Sequence, residues 1–230
     1  MGGQNITPGT LNHRRVRMEF LHLAGSRPIG EVTPDLAAEL ARRTGVPLAD
    51  VEAELGNLAI NPLDAFGANF VDMAYSGREQ ARDFELATAA VFRELGYRAE
   101  RVGPAPLHPD VLVTSPMDYR GIIDSKAYSA YSMSNDWNRM VHNYIPRYRD
   151  DGGLAFFAYV AGGFSGRIDA KIQSVAEETA VCGSAVTARD LVEILRRHRQ
   201  APITHERLKV LFQANRRVAA RDIAALESQP

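Results

Sequence analysis

The chain has 230 residues, 45% of them hydrophobic, and a formal net charge of −1 at pH 7. That is enough apolar material for one domain with an appendage or for two small domains, while no apolar run approaches the ~20 residues that span a bilayer. The single cysteine, Cys182, excludes an intrachain disulfide framework and any Cys-based zinc spacing, and it fits a reducing compartment.

The chain opens on MGGQNITPGTLNHRRVR, which has no apolar segment of the signal-peptide kind, so a cytoplasmic location is expected. Residues 1–12 are Gly-, Asn- and Thr-rich and are expected to be disordered. Thr33-Pro34-Asp35 starts a helix, with Thr33 as N-cap, proline at the first helical position and an acid in the first turn; Gly45 stops it. Helices over Pro47–Leu55 and Leu63–Tyr75 follow, and Ser76-Gly77 is read as a domain boundary. Beyond it, Phe84, Ala87, Val91 and Leu95 recur at helical spacing within Arg78–Leu95, and Gly96 ends that helix. Strands are expected at Tyr97–Val102, Val111–Thr114 and Tyr119–Lys126, the last two joined by a turn at Ser115–Asp118. A polar and aromatic helix over Met133–Tyr148 is expected to be cut short by Pro146. Then come a strand at Leu154–Val160, a Gly-Gly-Phe-Ser-Gly loop at 162–166, a helix to Thr179 and a strand at Cys182–Val186. Thr187 caps a helix over Ala188–His198, and helices at Thr204–Ala214 and Val218–Glu227 close the chain. Strands mixed with helices imply an α/β domain (77–230) with a mixed central sheet flanked by helices, preceded by a small helical domain (1–76).

In that first region, Leu36–Leu55 resembles a helix-turn-helix, with Ala41, Gly45, Val46 and Val51 at its structural positions. A helix that reads bases should present Arg, Lys, Asn or Gln, whereas this one offers Asp50, Glu52 and Glu54. Those charges favour a structural or docking role over base reading. Basic residues cluster instead at Arg14, Arg15 and Arg17, and again from Arg196 to Arg221, where most fit solvated helix faces.

The chemistry concentrates between His108 and Tyr128, in HPDVLVTSPMDYRGIIDSKAY. Asp110 stands at the start of one strand, and Asp124 and Lys126 stand at the end of the next. Residues two apart on a strand share a face, so Asp124 and Lys126 point the same way, while Ser125 points opposite with its backbone carbonyl still free to ligate. If the two strands form a hairpin, both carboxylates converge on one hard cation such as Mg²⁺, one or two per site, which prefers oxygen ligands and keeps several waters. A lysine beside it can orient the attacking water. The alternative is that these are surface charges at strand ends, because short motifs of this kind recur by chance.

This Pro-Asp…Asp-x-Lys arrangement is the PD-(D/E)xK pattern of a large nuclease superfamily. From about Val71 to Arg217 the chain also resembles the cleavage domain of type IIS restriction endonucleases of the FokI kind. The matching pieces are LGYR (95–98), PDVLVTSPMDYRGIIDSKAYS (109–129), FAYVAGGFSGRIDAKIQSV (157–175), CGSAVTARDLVEIL (182–195) and ITHERLKVLFQANR (203–216). The resemblance implies a restriction-endonuclease-like fold and a Mg²⁺-dependent endonuclease of a bacterial restriction system acting on double-stranded DNA. Asp110 and Asp124 would be its metal ligands and Lys126 its catalytic lysine, with Glu85 a possible further carboxylate and Tyr128 structural. It implies cutting as a dimer of cleavage domains, with Asp136 and Arg139 near the positions of a cross-dimer ion pair, and with Trp137, Met140 and Tyr144 as an apolar patch. Only about 75 residues precede the nuclease region, so recognition is expected to be minimal or supplied by a partner subunit. The rival readings are a nicking or repair nuclease of the same fold and a catalytically quiet DNA-associated or assembly subunit.

Overall fold

In a computed structural model of the chain, residues 8–58, 61–103, 105–134, 136–150 and 153–227 are described. The disorder expected at residues 1–7 falls outside them. Residues 8–12, also expected to be irregular, instead open helix α1 (Pro8–Ser26). Its buried stripe is Val16, Phe20, Leu23 and Ala24. Exposed Leu11 and Met18 and three arginines interrupt that stripe, so its periodicity has little contrast in the sequence. α2 (Pro34–Thr44) begins on Thr33, whose hydroxyl oxygen accepts the Leu36 N–H at 3.3 Å. With α3 (Leu48–Asn57), these helices enclose a core that includes Phe20, Leu40 and Val51.

The chain forms two compact units, Met1–Asn69 and Phe70–Pro230. The division falls inside α4 (Pro62–Met73), before the Ser76-Gly77 break. Aromatic packing explains this placement, because Phe70 stacks at 5.0 Å on Phe84, inside the second unit.

The second unit is built on a six-stranded sheet in the order β1 (Arg98–Arg101), β2 (Val111–Thr114), β3 (Arg120–Ser125), β4 (Leu154–Ala161), β5 (Gly183–Thr187), β6 (Arg216–Arg217). The first three strands pair antiparallel and the rest parallel, so this is a mixed α/β sheet as the element order implies. The short β6 carries no apolar pattern and owes its strand form to pairing with β5. One face is covered by α5 (Ala81–Glu94), α9 (Ala188–Gln200) and α10 (His205–Phe212), where Phe212 contacts Phe92 at 5.4 Å and Phe156 at 5.0 Å. On the other face Ile122, Phe157 and Tyr159 form one core with residues that include Met140, Ile145 and Ile172, from the segment after β3 and from α8 (Ile168–Thr179). Two glycines set the spacing of the central strands. Gly121 pairs with Phe156, Gly183 pairs with Phe157, and a Cβ at either position would meet the ring at 2.3 Å.

The helix expected at Met133–Tyr148 is present in altered form. A short α6 (Trp137–Arg139) runs into a π-helical turn (Met140–Tyr144) and then α7 (Ile145–Asp150), with Pro146 inside it. Proline has no N–H and its ring crowds the carbonyl four residues back, so an ordinary helix would break. Here the Ile145 N–H reaches five residues back to the Met140 carbonyl, and this wider turn accommodates the ring. The C-terminal α11 (Ala220–Ala224) and a 3₁₀ turn (Ala225–Glu227) complete the unit. Among the described residues no helix is long and apolar enough to cross a membrane.

Candidate active site

β2 and β3 form the hairpin that the candidate site requires. Val111 pairs with Ile123, so Asp110, one step before β2, lies opposite Asp124 near the end of β3. Oδ2 of Asp110 accepts the backbone N–H of Ser125 at 2.6 Å, which ties the first carboxylate to the strand that carries the second. The Ser125 side chain faces away, with its hydroxyl 3.3 Å from Thr88 on α5. Asp124 and Lys126 share the opposite face of β3, where Nζ of Lys126 lies 2.9 Å from Oδ2 of Asp124.

The site is buried and gathers acids around one lysine. Asp124 is only 1% exposed. Its Oδ2 is met by the Lys126 ammonium at 2.9 Å. Burial, then the Asp124 charge and the more distant Glu85, push the Asp110 carboxyl up to about 8, against the opposing pull of Lys126 and the Ser125 N–H. Burial alone would lower the Lys126 ammonium, but Asp124, Asp136 and Asp110 outweigh it and hold the lysine protonated.

Two neighbouring buried carboxyl groups suit a hard cation. Among the described residues no group of three or more His, Cys, Asp or Glu side chains could hold a metal by itself. The carboxyl groups that β2 and β3 bring together are a pair rather than a full protein cage. That fits an ion such as Mg²⁺, which binds through one or two carboxylates and keeps its remaining waters.

Several side chains lie elsewhere than the sequence suggests. Glu85 is engaged by Arg101 at 2.6 Å and reaches Asp110 only through its charge. Tyr128, expected to be structural, is 49% exposed; its backbone does the holding, donating to the Lys126 carbonyl at 2.7 Å and accepting from Gly163 at 3.1 Å. The side chains of the expected apolar patch pack within the chain. Met140 and Tyr144 are buried in the core because the π-helical turn rolls them toward the sheet, and Trp137 packs half-buried against the same cluster. Asp136 turns inward, with its carboxylate 3.7 Å from Lys126, and Arg139 alone of the expected pair is largely exposed.

Two tyrosines of the site escaped the reading of the sequence. Tyr131 donates its hydroxyl to Asp136 at 2.7 Å, and Tyr159, paired across the sheet with Asp124, places its ring 5.3 Å from that of Tyr131. Burial, then neighbouring charge, raises both phenols well above their ordinary range. A tyrosine in the otherwise apolar run FFAYVA was the available signal, since a buried phenol needs a polar neighbour. An open cleft of about 450 Å³ adjoins this cluster, lined by Tyr128, Ser129, Tyr131, Ser132, Ser134 and Asp136 among others.

The family model for the FokI cleavage domain matches residues 47–219. A solved structure of restriction endonuclease FokI superimposes with a TM-score of 0.60 at 16% identity, over 91% of this chain and 47% of that one. A structure of FokI bound to DNA gives 0.57 at 15% identity, over 94% and 50%. The chain thus spans about half the length of these proteins, and at such identities the likeness is one of fold. No curated protein matches the chain. A family model that covers most of the chain, on a fold that superimposes on FokI and places acidic residues and a lysine at one strand end, shows that the chain belongs to the FokI cleavage-domain family.

Proposed function

We propose that the protein is a divalent-metal-dependent endonuclease that hydrolyses phosphodiester bonds of double-stranded DNA, as the cleavage module of a bacterial restriction system in the cytoplasm. The observation that carries this reading is the buried Asp110–Asp124 pair beside Lys126 in a chain of this family. Asp110, Asp124 and the Ser125 backbone carbonyl would hold Mg²⁺, with Glu85 adding negative charge behind them. When bound, the metal supplies Lewis-acid stabilisation of the charge that develops on the phosphate and lowers the pKa of water. Lys126 donates hydrogen bonds that orient the attacking water for in-line displacement. The protein-lined cleft beside Lys126 offers serine hydroxyls and backbone to the phosphodiester chain. Each module carries one such constellation and cuts one strand, so a double-strand break calls for two modules, from a homodimer or assembled by a recognition subunit. Arg139 and the exposed rim of its helix are what remains available for that contact.

The test is incubation of the purified protein with supercoiled plasmid and Mg²⁺ over a range of protein concentration, beside Asp124→Ala. The expected outcome is metal-dependent linear product that rises more steeply than first power in protein and drops by at least about 10³-fold in the variant, since metal stabilisation is worth several kcal/mol. Nicked product linear in protein would favour a nicking enzyme of the same fold. Equal activity in wild type and variant would overturn the assignment.

A further inference from the structure

Asp136 occupies the N-cap position of α6, a place where aspartate ordinarily turns its carboxylate onto its own helix. Here it makes no capping bond. The chain reverses just before it, at Met133 with φ of 59°, and this turn brings the carboxylate back over the end of β3. Its Oδ2 lies 3.7 Å from Nζ of Lys126 and accepts the Tyr131 hydroxyl at 2.7 Å, while Arg139 stands 3.5 Å from Oδ1. Tyr131 is itself fixed. It is buried, its N–H donates to the Gly163 carbonyl at 2.9 Å, and its own carbonyl accepts from Ser165 at 2.9 Å. The side chains of Asp136 and Lys126 are 16% and 17% exposed, so their charges are only partly screened by water.

We propose that Asp136, braced by Tyr131, is a positioning residue that holds the Lys126 ammonium when Asp124 is engaged by the metal. This rests on the nuclease reading. In the structure two carboxylates share one ammonium. A divalent cation on Asp124 draws that carboxylate's charge away from the lysine, and a lysine on a flexible four-carbon stem would then swing toward solvent. Asp136, 3.7 Å from the ammonium and outside the Asp110–Asp124 pair, would keep it where it orients the water.

The experiment compares wild type, Asp136→Asn, Asp136→Glu, Tyr131→Phe, Lys126→Ala and the double variant Lys126→Ala/Asp136→Asn. Two quantities are read: plasmid cleavage in Mg²⁺, and the rate at which a pulse of acetic anhydride acylates Lys126, followed by mass spectrometry with and without Mg²⁺. Asp136→Asn is expected to slow cleavage about 10- to 100-fold, the range typical of residues that support metal sites, with the Mg²⁺ and DNA half-saturation points unchanged and partial recovery in Asp136→Glu. In the Lys126→Ala background the same substitution is expected to add less than about twofold, because positions that act through one another are not additive. Lys126 acylation should rise in Asp136→Asn, and more so with Mg²⁺ present. Tyr131→Phe should move every readout the same way by less, which keeps the test open if Asp136→Asn folds poorly. Equal losses in both backgrounds, or acylation unchanged by Asp136→Asn, would overturn the proposal. A wild type that cuts nothing would count against the nuclease reading, and the acylation rates would then decide on Asp136 alone.

Discussion

Glu54 in the helical unit and Asp124 in the sheet unit are both acids withdrawn from water, at 8% and 1% exposure. Glu54 meets a single partner, the imidazole of His13, whose side chain is half in solvent. Asp124 shares one ammonium with two further acids, Asp110 and Asp136. The helical unit thus closes its own account of charge with one group at the surface. The sheet unit instead sets Asp124 beside a second buried acid, Asp110, a crowding of carboxyl oxygens that a divalent cation would relieve. A buried acid with one partner reads as architecture; two buried carboxyl groups side by side, beside a lysine shared with a third, read as a candidate site.

The sharpest way to break this comparison is to remove the buried acid's partner on each side. Lys126→Met leaves Asp124 and Asp136 without their ammonium in a low-dielectric setting. Its metal-free form is expected to lose about 3–5 kcal/mol in urea unfolding, with part of that returned by millimolar Mg²⁺. A loss that Mg²⁺ does not touch would mean that the carboxylates bind no metal. A smaller effect is expected from pH. The folded Asp110 carboxyl keeps its proton to about 8, while an unfolded one releases it near ~3.9. Between those values the native state binds more protons, so stability falls as pH rises through the window. Thermal melts of the metal-free protein from pH 4 to 8 should show this decline, and Asp110→Asn should flatten it. The smallest effect belongs to the helical unit. His13→Ala is expected to cost about 1 kcal/mol or less, because the imidazole itself is half-exposed, and to leave cleavage unchanged. A larger cost would mean that Glu54 is as dependent on its partner as the acids of the sheet unit are.

Where local chemistry decides structure, the sequence was readable. Thr33, Thr187 and Thr204 each accept a backbone N–H at the start of a helix, because a hydroxyl at that position satisfies an otherwise orphaned donor. Val111–Thr114 alternates as a half-buried strand, the run before Lys126 is an almost wholly buried one, and the turn between them closes with the Ser115 N–H on the Tyr119 carbonyl at 2.8 Å. The juxtaposition of Asp110, Asp124 and Lys126 follows from that hairpin. What remained hidden depends on partners distant in the chain. α1 lacks apolar contrast until its stripe meets the other helices. β6 is two arginines made extended by a neighbour. The π-helical turn is a compromise between Pro146 and the need to keep Met140 and Tyr144 in the core. Asp136 is the clearest case. In sequence it is an acid at a helix start, and only the reversal at Met133 sends it to Lys126 instead of to its own helix.

The glycines beneath the phenyl rings reach beyond packing. Gly121 under Phe156 and Gly183 under Phe157 work as a key and its wards, since β4 fits between its neighbours at one longitudinal setting and a shifted setting would drive a ring into a side chain. That setting places Asp124 beside Tyr159 and lets the Lys126 N–H find the Val160 carbonyl. The height of the charged residues above the sheet is thus written into four residues that carry no charge. A descendant that abandons its acids and lysine can keep those four and preserve the shape, and a descendant that keeps the acids but loses a glycine forfeits the alignment that makes them useful.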